Sequence, residues 1–163
     1  MKVIAISGTP GTGKTTLAKK LSKKLSYPIL DVKKFIKSKK LSESYDKKRK
    51  TNIIDTSKLN KELIKEINKV KKEHNPKGII IDSHLSHYLP KKQVTLCIIT
   101  KCNLKTLNTR LKKRRYSKLK IRENLDAEIF DTCHIEAKEK QHNTIVITTT
   151  NALNMNNISK KIK

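Results

Sequence analysis

Residues 8–16 read GTPGTGKTT and hold three of the chain's four glycines. The spacing Gly8-x4-Gly13-Lys14-Thr15 follows the apolar run KVIAIS and precedes leucines at positions 17, 21 and 25. A strand, a glycine-rich turn and a helix in that order form the setting in which such a loop wraps a phosphate chain. Wrapping requires main-chain N–H groups that all point inward, in conformations and at close approaches that a Cβ blocks. Gly8, Gly11 and Gly13 meet that requirement. The wrapped anion then rests on the N-terminus of the helix starting near Lys14, where unpaired N–H groups and the helix dipole favour negative charge. In this pattern Lys14 reaches the β- and γ-phosphates and Thr15 offers its hydroxyl to Mg²⁺. The chain is therefore expected to bind a nucleoside triphosphate.

A second element is expected at the carboxyl end of another core strand, where an aspartate holds Mg²⁺ or its water shell. The stretch GIIIDSH supplies Asp82 after four residues of buried-strand character. Aspartate is also common as a cap or turn residue there, which is the plainer role for this position. His84 lies two residues on, where it could orient a water or the acceptor phosphate, although a lone histidine is more often structural. His87 carries a weaker signal still. A third element is cationic, because phosphoryl transfer spreads charge over oxygens that mobile arginines close upon. The chain has five arginines, Arg49 apart from the rest and Arg110, Arg114, Arg115 and Arg122 within TRLKKRRYSKLKIRE, in a sequence that elsewhere chooses lysine. The planar guanidinium suits bidentate phosphate recognition; a solvated basic helix face explains the run equally well.

Bringing these groups to one edge takes a scaffold, and the apolar pattern describes one. KVIAIS (2–7), GIIID (78–82), VTLCIIT (94–100) and TIVITT (144–149) are unbroken apolar runs, with a further short strand around 27–30. Strands that do not alternate with polar residues, each followed by a helix, predict a parallel sheet covered on both faces. Helices are expected around Val32, Phe35 and Ile36, and over Leu59, Leu63, Ile67 and Val70 with Asp55-Thr56-Ser57 as the cap. Leu104, Leu107 and Leu111 mark another, as does the set Ile121, Leu125, Ile129 and Cys133, and a short one is expected in the tail from Asn154. The polar stretch 38–52 reads as mobile and surface-lying.

Composition bounds the rest. The 163 residues suit one domain with a real core. No run approaches the ~18 apolar residues of a membrane span, and no cleavable signal pattern opens the chain. Three cysteines without a CxxC pair predict no disulfide framework, so a soluble protein of a reducing, cytoplasmic compartment is expected. The net charge of +25 fits an RNA neighbour and would steer ATP inward, although a general lysine bias accounts for it too. With aromatics at 4%, stacking readout of single-stranded RNA is not expected.

Taken together, these residues resemble the archaeal and eukaryotic adenylate kinases of the isoenzyme 6 (CINAP) type. SGTPGTGKTTLAKKL looks like that family's phosphate loop and YDKKRKTNIIDTSKLNKEL like its nucleoside-monophosphate segment. IIIDSHLSHYLP resembles its Asp-x-His element, and TRLKKRRYSKLKIRENLDAEIF its short lid and following helix. The resemblance implies a P-loop NTPase fold, three-layer α/β/α with a five-stranded parallel sheet, as one kinase domain over residues 1–163. It implies a monophosphate-binding segment at about 31–54 and a lid at about 113–123. It further implies the reaction ATP + AMP ⇌ 2 ADP with Mg²⁺. By that likeness Gly11, Gly13, Lys14, Thr15, Thr16 and Arg114 contact ATP. Lys14, Asp82, His84 and Arg114 serve catalysis, and Thr15 and Asp82 hold Mg²⁺, partly through water. ATP hydrolysis and small-subunit ribosome maturation, with a platform ribosomal protein as partner close to rRNA, are also implied. An ATPase assembly factor for a ribonucleoprotein is the alternative. The chain departs from the family twice: Arg115 stands where the lid carries glycine, and no arginine precedes Arg49 in the monophosphate segment, leaving Lys37 or another lysine for that place.

Overall fold

A computed structural model describes residues 1–47 and 51–162. Its centre is a five-stranded sheet built from β1 (Lys2–Ser7), β2 (Ile29–Asp31), β5 (Gly78–Asp82), β6 (Leu96–Lys101) and β7 (Thr144–Thr148). The strands run in the order β2-β5-β1-β6-β7 and every pairing is parallel. Alternate residues of each strand point to opposite faces, and both faces are apolar. Ile4, Ile6, Ile80 and Ile98 meet Leu17 and Leu21 of α1 (Lys14–Leu25) and Ile158 of α7 (Met155–Lys160). Val3, Ile79 and Ile81 face the other way, onto Val32 and Phe35 of α2 (Val32–Ser38) and Leu59, Leu63 and Ile67 of α3 (Thr56–His74). Ala5, Cys97 and Ile99 on that same side are covered by Ala137 of α6 (Thr132–Glu139). Helices therefore cover the sheet on both faces, which explains why the strands carry no polar alternation.

Helix ends follow their side chains. Asp55 accepts from Ser57 N and Lys58 N at the start of α3, and Asn75 closes that helix in the left-handed region. Asn103 caps α4 (Leu104–Lys113), and Asn154 caps the tail helix α7. Two expectations are corrected. The stretch 38–52 contains a strand, β3 (Ser42–Asp46), which pairs antiparallel with β4 (Thr51–Ile54). Among the described residues this ribbon joins no other strand, and its residues are mostly exposed, while Leu41 before it and Ile54 at its end reach the core. Polar, unalternating strands of this kind carry no apolar signature. The single helix expected through Ile121 and Cys133 is two: α5 (Lys118–Ile129) stops, Asp131 takes a left-handed φ of 54°, and α6 begins. Asp131 is held there by Lys101 Nζ at 2.8 Å and His134 Nδ1 at 2.9 Å. Arg49 lies outside the described residues. Among those residues, no helix is long and apolar enough to cross a membrane.

Candidate phosphate-transfer site

The carboxyl ends of β1, β5 and β6 meet where the strand order reverses on either side of β1, the place where open α/β sheets form their ligand crevice. The glycine loop fills this edge. Gly8 has φ 131°, and a Cβ there would run into the Thr100 carbonyl of β6. At Gly11, with φ 100°, a Cβ would lie 2.7 Å from Leu107 Cδ1 of α4. The glycines thus answer two demands, the backbone curl and the press of neighbouring elements. Thr12 stiffens the curl: its hydroxyl donates to Thr9 O at 2.7 Å and pairs with Thr100 Oγ1 at 2.7 Å. Gly13, at φ 89°, occupies the N-cap of α1 without a side-chain cap, which leaves the first helical N–H groups facing the crevice.

Lys14 folds back over this loop, donating to Gly8 O at 2.7 Å and Thr9 O at 2.9 Å. Burial lowers its pKa to about 8; the nearby Cys133 and Asp82 oppose that shift, and the Arg114 charge adds to it. Thr15 and Thr16 are exposed on the first turn of α1. Asp82 ends β5, buried at 7% exposure and in register with Ile6 of β1 and Asp31 of β2. Burial raises the Asp82 pKa, while a hydrogen bond from Thr15 and the charge of Lys14 pull it down and Asp31 pushes it up again. Lys14, Thr15 and Asp82 are therefore brought together at this edge. The Thr15 hydroxyl and Asp82 carboxylate are hard oxygen donors in mutual contact, which suits Mg²⁺ held by few protein groups with water and phosphate completing its shell.

His84 is exposed at the rim of the crevice. Desolvation by the surrounding walls, then the charge of Lys14, lower its pKa to about 4, so its ring is neutral at pH 7. Arg114 caps α4 with its N–H on Arg110 O and Leu111 O. Its side chain lines a cleft of about 530 Å³ shared with Gly11, Gly13, Thr16, Arg110 and Asn151. Arg115 follows at φ 56°, a left-handed position that glycine adopts more readily. Arg122 is turned to its own helix, pairing with Asp126 at 3.0 Å, and Lys37 is exposed on α2.

Three features of the site escape a reading by residue type. Asp31, an N-cap whose side chain accepts from Lys34 N at 3.0 Å, stands beside Asp82 across the sheet. Arg110 braces the loop instead of facing solvent, donating to Gly11 O at 3.4 Å and Thr149 O at 3.0 Å. Thr149 in turn donates to Thr12 O at 2.6 Å. Each is a long-range pairing, and only the alternation of β2 and β5 hinted at the first.

A family model described as "AAA domain" matches residues 4–131. The chain is similar to the "Putative adenylate kinase" of Methanocaldococcus jannaschii, 40% identical over 91% of this chain and 77% of the relative. That of Pyrococcus furiosus is 38% identical over 91% and 75%. The "Adenylate kinase isoenzyme 6 homolog" of Caenorhabditis elegans is 30% identical over 88% and 76%. Among solved structures, a deoxyadenosine kinase from M. mycoides with bound dATP superposes with TM-score 0.52 at 19% identity, covering 99% of each chain. A shikimate kinase from Acinetobacter baumannii does so with TM-score 0.57 at 17% identity, covering 99% of this chain and 90% of its own; both likenesses concern the fold alone. The chain belongs to the AAA-domain family, in the branch of relatives that carry adenylate kinase names.

Proposed function

We propose that this protein passes the γ-phosphoryl group of ATP to AMP, yielding two ADP, with Mg²⁺ as its cofactor. The observation that carries the reading is the meeting of Lys14, Thr15 and Asp82 at one glycine loop, beside a cleft walled by Arg110 and Arg114. The relatives' adenylate kinase names favour AMP as the acceptor. The triphosphate lies along the loop and on the bare N-terminus of α1, and Lys14 exchanges its two carbonyl partners for phosphate oxygens. An oxygen of the AMP phosphate bonds to the γ-phosphorus as the bridging bond to the β-phosphate breaks, and ADP leaves on the loop side. Arg114 closes from the cleft wall upon the charge that develops on the equatorial oxygens. His84, neutral at pH 7, orients the acceptor phosphate without adding charge. Bound Mg²⁺, held by Thr15 and Asp82, supplies charge neutralisation at the outer phosphates.

A second activity, ATP hydrolysis in the service of ribonucleoprotein assembly, is favoured by the +25 charge. One assay separates the two. ADP formation is followed with each nucleoside monophosphate in turn and set against phosphate release from ATP alone. AMP is expected to accelerate ADP formation, and Lys14→Ala to abolish it. If AMP neither accelerates ADP formation nor protects the protein from thermal unfolding, the kinase reading fails.

A further inference from the structure

Between Asp82 and α6 runs a chain of polar side chains, buried at Ser7 and His87 and half-buried at Tyr88 and Glu136, to which the proposed reaction gives no part. Ser7 ends β1 and immediately precedes Gly8, so it sits at the root of the glycine loop. Its hydroxyl donates to the main-chain carbonyl of His84 at 3.2 Å and meets His87 Nδ1 at 2.6 Å. The other ring nitrogen of His87 lies 2.9 Å from Glu136 Oε2 on α6, and Tyr88 donates its hydroxyl to Glu136 Oε1 at 3.0 Å. Ser7 and His87 are 0% and 1% exposed. Polar groups this deep cost free energy unless each finds a partner, and a fully paired network admits few arrangements.

The position of this chain gives it a further consequence. The backbone turns sharply after Asp82, and Ser83 N on Ile6 O at 3.3 Å ties the start of the turn to β1. Two residues later the tie is the Ser7 hydroxyl, which carries one proton and two lone pairs and so meets His84 and His87 together. The His87 ring fixes where that hydroxyl points, and Glu136 fixes the ring. We propose that Ser7 and His87 are positioning residues: the Ser7–His87–Glu136 chain sets the height of the Asp82–His84 segment over the glycine loop. His84 is thereby held beside the phosphoryl group in transit, a role that rests on the reaction proposed above.

Three variants test it. The Asn side chain places its amide near the Nδ1 position of histidine and the Gln side chain near Nε2, so His87→Asn keeps the Ser7 contact and His87→Gln keeps the Glu136 contact. His87→Gln and Ser7→Ala are expected to lower kcat by about ten-fold with the KM for ATP within about two-fold, whereas His87→Asn retains kcat within about three-fold. A purely structural role would instead make the loss of kcat follow the loss of Tm in all three. In the unliganded protein, exchange of the Ser83 amide hydrogen, which is donated to Ile6 O, should quicken in Ser7→Ala and His87→Gln and keep the wild-type rate in His87→Asn. That readout needs no turnover, so it tests the strut even if AMP proves not to be the acceptor. A Ser83 amide exchange rate unmoved by Ser7→Ala, a kcat within two-fold in both Ser7→Ala and His87→Gln, or equal kcat losses in the Asn and Gln variants overturns the proposal.

Discussion

Raising the pH of the unliganded protein from 7 to 9 should strip the proton from Lys14, the group nearest the expected γ-phosphate. Burial holds its pKa at about 8 against an ordinary 10.5. Below pH 8 the folded and unfolded chains both carry the proton, and the cost of burying the charge is present in full. Between 8 and 10.5 the unfolded chain holds more protons than the folded one, so stability rises with pH across that window. At about 1.4 kcal/mol per unit the whole effect is at most about 3.5 kcal/mol, and less because part of the side chain still meets solvent. A bound triphosphate reverses the balance by making the charged form the favoured one. Binding of Mg·ATP should then take up about half a proton at pH 8 and about 0.9 at pH 9, against about 0.1 at pH 7. Calorimetry of ATP binding in two buffers of different ionisation enthalpy measures this uptake. Lys14→Arg, whose guanidinium does not titrate in this range, should bind with no such uptake. A wild-type uptake indistinguishable from zero at pH 9 would refute the reasoning.

Arg114→Ala should lower kcat by about a hundred-fold while the KM for ATP changes by no more than about three-fold, since its contact tightens in the transition state; equal losses in both would count against its place in the lid. Arg115→Gly removes a left-handed cost of about 1 kcal/mol and restores freedom to the unfolded chain, so Tm should stay level or rise by up to about 4 °C. A clear fall in a thermal melt would show the Arg115 side chain holding the turn. Leu63→Ala, at a position 1% exposed beneath the sheet, should cost about 2–5 kcal/mol in denaturant unfolding and leave the KM for ATP unchanged; a loss below 1 kcal/mol would mean that α3 packs more loosely than its burial indicates.

The parts of this fold that could be read from residue order are those with dense local signals. Ile79, Ile80 and Ile81 are buried on both faces of β5, and three consecutive isoleucines announce it. Lys14, Thr15 and Asp82 could be named because loop spacing and strand ends fix their places. The β3–β4 ribbon could not, since SESYD has no apolar face. Nor could the break between α5 and α6: Ile129 and Cys133 keep a helical interval, and the stop depends on Lys101 reaching Asp131 from another strand. Arg110 is the instructive case at the site. By type it belongs with Arg114, Arg115 and Arg122, yet its partners are main-chain oxygens 99 and 39 positions away. Ser7, His87 and Glu136 pair at separations of 80 and 49, where periodicity is silent.

The hydroxyl of Thr149 reaches back 137 positions to the carbonyl of Thr12, and Arg110 ties Thr149 to the neighbouring Gly11 carbonyl. During synthesis the glycine loop leaves the ribosome long before this brace. A nascent chain halted before residue 144 holds Lys14, Thr15, Asp82 and Arg114 but lacks the wall of the cleft at 149–153 and the pin that keeps Thr12 in place. The cleft beside the loop is thereby left unfinished until β7 and the residues that follow it are laid down.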